Sequence, residues 1–228
     1  MDSLRQTVSD ACRVLAAHGV VSGILGHVSA RVDGGLLVRT RGPREKGLRH
    51  TTPEDIRLVD LDGRGDLGEW TVPNELPIHT EVLRARPEVG AVVHAHPPAL
   101  LVCGLKGLPL RPVYGAFDIP GMRLAAAGIP VYPRSVLIRR RELAQEMLEA
   151  MAGKPVCLLR GHGVTVTGET VAEAVVRTLA LETLARVTLQ VGTDVPEVPA
   201  ADQVELPDLG AGFFNETQWR ALVADLGA

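Results

Sequence analysis

Three of the seven histidines stand where their rings could share a metal ion. His94 and His96 close the apolar run VGAVVHAHPPAL, which reads as a buried strand stopped by Pro97 and Pro98. Side chains at i and i+2 leave a strand on one face, so two imidazoles converge on one point. His162 lies between Gly161 and Gly163 at the end of a second apolar run, where glycine allows a sharp turn and a close approach. Three neutral imidazoles with one position open form a catalytic divalent site, not a closed structural one. Imidazole accepts zinc, manganese, magnesium or cobalt, so the ligand types leave the ion open. The competing reading is a pair of histidines on a half-exposed strand face, because spacing alone does not bring His162 to them.

Glu75, in PNELPIHTEVL, sits at or just before the start of a helix over residues 77–86. A carboxylate there is favoured by the helix dipole and can act as a cap. Beside a metal it would instead exchange protons as a general acid/base. His79, one turn further along, reads as a residue supporting the ligands or the fold. His18 and His50 read as solvated.

These side chains need strands to aim them, and the flanking patterns supply strands. Apolar spacing gives a first helix closed by Gly19, then a hairpin of residues 28–32 and 36–40 around Asp33-Gly34-Gly35. A polar, Gly- and Pro-rich loop precedes a strand at 57–60. Further strands are expected at 129–132, 156–159 and 164–167, with helices at 142–151 and 170–191. Strands and helices mix without a regular βαβ rhythm, which gives an α/β or layered α+β domain. No repeat or linker divides residues 1–228, so one domain is expected, with an irregular tail from about residue 192.

Composition narrows the partners. With 24 Lys and Arg against 27 Asp and Glu, the net charge of −3 leaves no footprint for nucleic acid. Aromatics at 3% give no base-stacking surface. No apolar run is long enough to span a membrane, and the first residues carry charge inside a helical pattern instead of an apolar leader. Cys12, Cys103 and Cys157 have no pair spacing, which suits a reducing cytoplasm.

Four ordered blocks together resemble the class II aldolase/adducin family over about residues 4–189: LGHVSAR, PNELPIHTEVLRARPEVGAVVHAHPPAL, LLRGHGVTVTG and ALETLARVTL. The resemblance implies a class II aldolase-like central mixed sheet flanked by helices, and a homotetramer with active sites between subunits. It further implies one divalent metal per subunit on His94, His96 and His162, with Glu75 as acid/base. Tyr114 matches by position a tyrosine that an adjacent subunit contributes as proton donor, and packing is its other reading. Adducin-like members use the fold as a structural module without the metal histidines, all of which are present here.

The departures concern the substrate. Sugar-phosphate members hold phosphate with hydroxyl residues and an asparagine in three loops. Here those loops read Ile24-Leu25-Gly26-His27, then Thr40-Arg41-Gly42 continuing into Pro43-Arg44-Glu45-Lys46, then Pro73-Asn74. Most of the hydroxyl donors are missing and cations are gained, and arginine suits a planar carboxylate through paired hydrogen bonds. His27, Arg41, Arg44, Lys46 and Asn74 are therefore the expected substrate-binding residues, for a carboxylated and unphosphorylated small molecule. A solvated loop is the plainer reading of the three cations. The motifs REKGL, PRSVLI and FFNETQWRAL are most similar to the branch acting on carboxylated hydroxyaromatics. That likeness implies a metal-dependent carbon–carbon lyase, a decarboxylase of dihydroxyaromatic acids. The enzyme alternative is an aldolase for unphosphorylated hydroxyketones or hydroxy-oxo acids.

Overall fold

The computed structural model describes residues 1–207 and 214–227. Helix α1 (Asp2–Ala17) precedes the hairpin of β1 (His27–Val32) and β2 (Gly35–Arg39), followed by β3 (Ile56–Val59). Then come α2 (Leu76–Ala85), β4 (Ala91–Ala95), α3 (Pro98–Lys106), α4 (Ile119–Ala126), β5 (Val131–Tyr132) and α5 (Arg141–Met151). Strands β6 (Val156–Leu159) and β7 (Gly163–Gly168) lead into the long α6 (Val171–Val191), and the short helices α7 (Ala200–Val204) and α8 (Glu216–Ala224) complete the order.

The strands form one seven-stranded sheet in the order β3-β2-β1-β4-β7-β6-β5. Among the described residues only the β5–β6 pair is parallel, so the sheet is mixed and the class is α/β with helices on both faces. Alternation along each strand sorts the side chains between two cores. Val93 and Ala95 of β4 pack with Val28 of β1, Val164 of β7 and residues of α1, α3 and α6. Val92 turns to the other face, where α2 and α5 contribute Ile78, Val82, Leu143 and Met147. His94 shares the parity of Val92, so it emerges on the α2 face.

The structure adds α3 and α4 to the elements expected from sequence. Pro97 and Pro98 stop β4 as expected, but Pro98 also opens α3, since proline fits the first helical turn, where an N–H would be unpaired anyway. In α4 the Asp118 side chain accepts the Gly121 N–H, and Pro120 sits in the first turn. The stretch after residue 192 is not wholly irregular, because α7 and α8 form within it and Leu222 of α8 is buried against the core. Of the FFNETQWRAL motif, Phe213 lies outside the described residues.

The start of α3 is held by a charge. Glu182 of α6 is buried and accepts the N–H groups of Ala99 and Leu100 at 3.2 Å, with Arg186 3.1 Å away as its counter-ion. This contact fixes the chain immediately after His96. Glu182→Ala should strand both N–H donors and lower unfolding stability by about 2–3 kcal/mol, read as an earlier urea midpoint with an unchanged slope.

Candidate metal centre and active site

The α2 face of the sheet carries the cluster. His94 and His96 leave the end of β4 side by side, their Nε2 atoms 2.9 Å apart. His162 comes from the turn between β6 and β7, in which its N–H donates to the Leu159 carbonyl at 3.0 Å. Gly161 makes that turn with φ +64. A Cβ on Gly163 would stand 2.2 Å from the Ala95 carbonyl oxygen and 2.9 Å from His96 Cδ2. Glycine at that position is what lets the turn approach the His94–His96 pair. The ring centroids of His94 and His96 lie 4.8 and 4.9 Å from that of His162.

Glu75 completes the set. It occupies the N-cap position of α2, yet its side chain caps nothing in that helix. Its Oε1 instead accepts the Ile138 N–H at 2.8 Å, and its Oε2 lies 3.4 Å from Nε2 of both His94 and His162. The residue is only 5% exposed. Burial alone would raise its pKa, but hydrogen bonds from His162 and His94 outweigh that and hold the group well below the usual carboxylate range.

Ligand atoms of Glu75, His94, His96 and His162 all lie within 4.8 Å of one another. Nitrogen ligands about 2.1 Å from a common ion are themselves about 3.0–3.4 Å apart, so this donor set fits a divalent metal. Burial pushes the His96 pKa down to about 3, aided by His94 and His162, and lowers that of His94 as well. Rings kept neutral keep their lone pairs for a ligand.

Behind the cluster lies a second imidazole pair. His27 opposes His94 across the β1–β4 ladder, and their ring centroids are 5.0 Å apart. Its Nδ1 is 2.6 Å from His79 Nε2, and His79 Nδ1 is 2.6 Å from Ser29 Oγ. His79 thus supports its neighbours from α2 and does not join the donor set, while His18 and His50 are exposed.

Residues 6–189 match the model for the class II aldolase and adducin N-terminal domain. The chain belongs to this family. It is 53% identical to the 3,4-dihydroxyphthalate decarboxylase of Arthrobacter keyseri, covering 98% of this chain and 94% of that one. It is 46% identical to the protein of the same name from Rhodococcus jostii, with 98% and 96% covered. An aldolase II superfamily protein from Pseudomonas syringae superposes with a TM-score of 0.83 over 99% of this chain and 92% of its own, at 20% identity, a likeness of fold.

Within this class II aldolase-family chain the remaining site residues are spread out. Arg41 pairs its backbone with Thr71 at 2.9 Å, and its buried Nε has no partner among the described residues. Arg44 and Lys46 are exposed and line a hollow of about 630 Å³ that also contains Glu45, Glu54 and Glu69. Asn74 is exposed beside Glu75. The Tyr114 hydroxyl donates to Asp118 Oδ2 at 3.3 Å, its ring meets Phe117, and it makes no hydrogen bond to the histidine cluster. Burial pushes its pKa far up, and the carboxylate of Asp118 adds to this. Two contributors escaped the sequence reading. Ser29 is signalled only by its parity with His27 in β1, and the Ile138 N–H is a backbone group inside PRSVLI.

Two measurements check this geometry. Alanine at His94, His96 or His162 should each abolish retention of a divalent ion through gel filtration, read by elemental analysis, with the secondary structure intact. The second concerns acid. Burial lowers the His79 pKa to about 3 from an ordinary 6.5. The folded chain therefore keeps this ring neutral where the unfolded chain binds a proton. Its contribution to stability is complete above pH 6.5 and disappears as pH falls toward 3. Metal-free protein should lose melting temperature across that window, and His79→Gln should flatten the profile.

Proposed function

We propose that this chain is a metal-dependent carbon–carbon lyase that converts 3,4-dihydroxyphthalate to 3,4-dihydroxybenzoate and carbon dioxide. The observation that carries the reading is near-full-length identity to 3,4-dihydroxyphthalate decarboxylases in a chain with a buried carboxylate among three imidazoles. The bond to be broken joins the ring to the carboxylate beside a hydroxyl-bearing carbon, and a proton must replace the departing group.

A divalent ion bound by His94, His96 and His162 would supply Lewis acidity toward the oxygens next to that bond. Glu75 is tethered by the Ile138 N–H and lies 3.4 Å from the nearest nitrogens of His94 and His162. It takes the proton of the neighbouring phenol hydroxyl and delivers it to the ring carbon that bears the carboxylate. Protonation there interrupts aromaticity. The electrons of the carbon–carboxylate bond then return to the ring as carbon dioxide leaves, and water restores the hydroxyl proton. Arg41, Arg44 and Lys46 of the second loop hold the carboxylate that is retained. Asn74 binds at the rim, and the buried His27 binds beside His94.

Tyr114 assists the site of a neighbouring subunit in a homotetramer, and Phe117 beside it, 73% exposed, offers apolar surface for such a contact. The enzyme works in the cytoplasm, in keeping with three free, buried cysteines. Among the described residues no helix is long and apolar enough to cross a membrane.

Carbon dioxide release should be observed with 3,4-dihydroxyphthalate, and not with sugar phosphates or hydroxyketones screened for retro-aldol cleavage. Release from none of the dihydroxyaromatic acids, with aldol cleavage instead, would replace this reading. Glu75→Gln should keep the bound ion but lose about 10²–10⁴-fold in kcat with little change in KM.

A further inference from the structure

The chain Ser29–His79–His27 is buried from end to end, with exposures of 0%, 0% and 3%. Its direction follows from counting protons. Ser29 Oγ makes one hydrogen bond, to His79 Nδ1, and has no other partner among the described residues. Were Ser29 the acceptor, its own hydroxyl proton would be sealed in the core unpaired, which costs more than an unused lone pair. Ser29 therefore donates, and His79 Nδ1 is bare. The proton of His79 is then on Nε2, which donates across 2.6 Å to His27 Nδ1. With Nδ1 accepting, the proton of His27 is on Nε2.

Among the described residues that last atom has no hydrogen-bond partner, and it is not one of the buried polar atoms sealed away from solvent. The His27 ring stands 5.0 Å from that of His94, at the edge of the donor cluster. Resting on the proposed function above, we propose that Ser29 and His79 are positioning residues that lock His27 as an Nε2–H donor for a substrate oxyanion, a carboxylate or phenolate oxygen. A ring locked this way has no lone pair for a metal and no site to accept a proton. It explains why His27 stands against the cluster while only His94, His96 and His162 converge with Glu75. It also leaves proton transfer to Glu75.

Histidine-selective 15N labelling of the full chain, zinc-saturated and metal-free, reads the tautomers directly. His27 and His79 should both show protonated Nε2 and bare Nδ1, with assignments made from His27→Asn and His79→Gln. Ser29→Ala removes one buried oxygen and should drive both rings to a mixture of tautomers. The same variant should weaken binding of 3,4-dihydroxybenzoate by about three- to tenfold in calorimetry. His79→Gln, whose amide can still donate to His27 Nδ1, should bind within about twofold of wild type, whereas His79→Leu should match Ser29→Ala. If His79→Leu does not fold, Ser29→Ala decides alone. A protonated Nδ1 on His27, or unchanged tautomers in Ser29→Ala, overturns the proposal. The spectra need no substrate, so a failed decarboxylation assay leaves them standing, and a reversed tautomer leaves the decarboxylase reading standing.

Discussion

Glu75 presents one carboxylate oxygen to two imidazole nitrogens 3.4 Å away, inside a wall of protein that leaves it almost no water. A charge in that position is costly unless every lone pair is engaged. Engagement requires three separate parts of the chain at once: the end of β4, the β6–β7 turn and the backbone of Ile138 ahead of α5. The start of α2 must deliver the carboxylate between them. Much of the architecture around this point answers that requirement. Glu182 pins the exit of β4, and the glycines beside His162 let the turn close in.

The second determinant is parity. In each of β1, β4 and β7, residues of one parity enter the core beneath α1, α3 and α6, and those of the other face α2 and α5. That single rule places His27, Ser29 and His94 together, opposite Glu75 and His79. Five imidazoles then share a small volume, and burial drives down the pKa of His27, His79, His94 and His96. Neutral rings so close to one another are distinguished by which nitrogen is free, and hydrogen bonding to fixed partners makes that choice.

The cations of the second loop behave differently from the cluster. Arg39 is buried and spends its charge on Glu45 at 2.5 Å, while Arg44 and Lys46 stand in solvent among acidic neighbours. Their field is mixed and screened. Arg41 is the half-buried member of the group, and its Nε, like that of Arg39, is buried without a partner among the described residues.

Much of the candidate site was legible in the sequence. Period-two spacing put His94 and His96 on one face, glycines flanked His162, and the ordered motifs carried the family likeness. Helix signals around Glu75 located it at the start of α2 and suggested a cap. Only the fold showed that its carboxylate turns away from its own helix, because the competing donors come from β4, the β6–β7 turn and the loop before α5, all distant in sequence. For the same reason α3 was hidden, since a proline pair ends a strand and opens a helix with the same residues. Sequence periodicity fixes which way a side chain points from its own element. Which atoms then meet depends on register between strands and on turns closing across the sheet, and those contacts are long-range. The candidate metal ligands were therefore readable as residue types, while the Ser29–His79–His27 contacts existed only once β1 and α2 had packed.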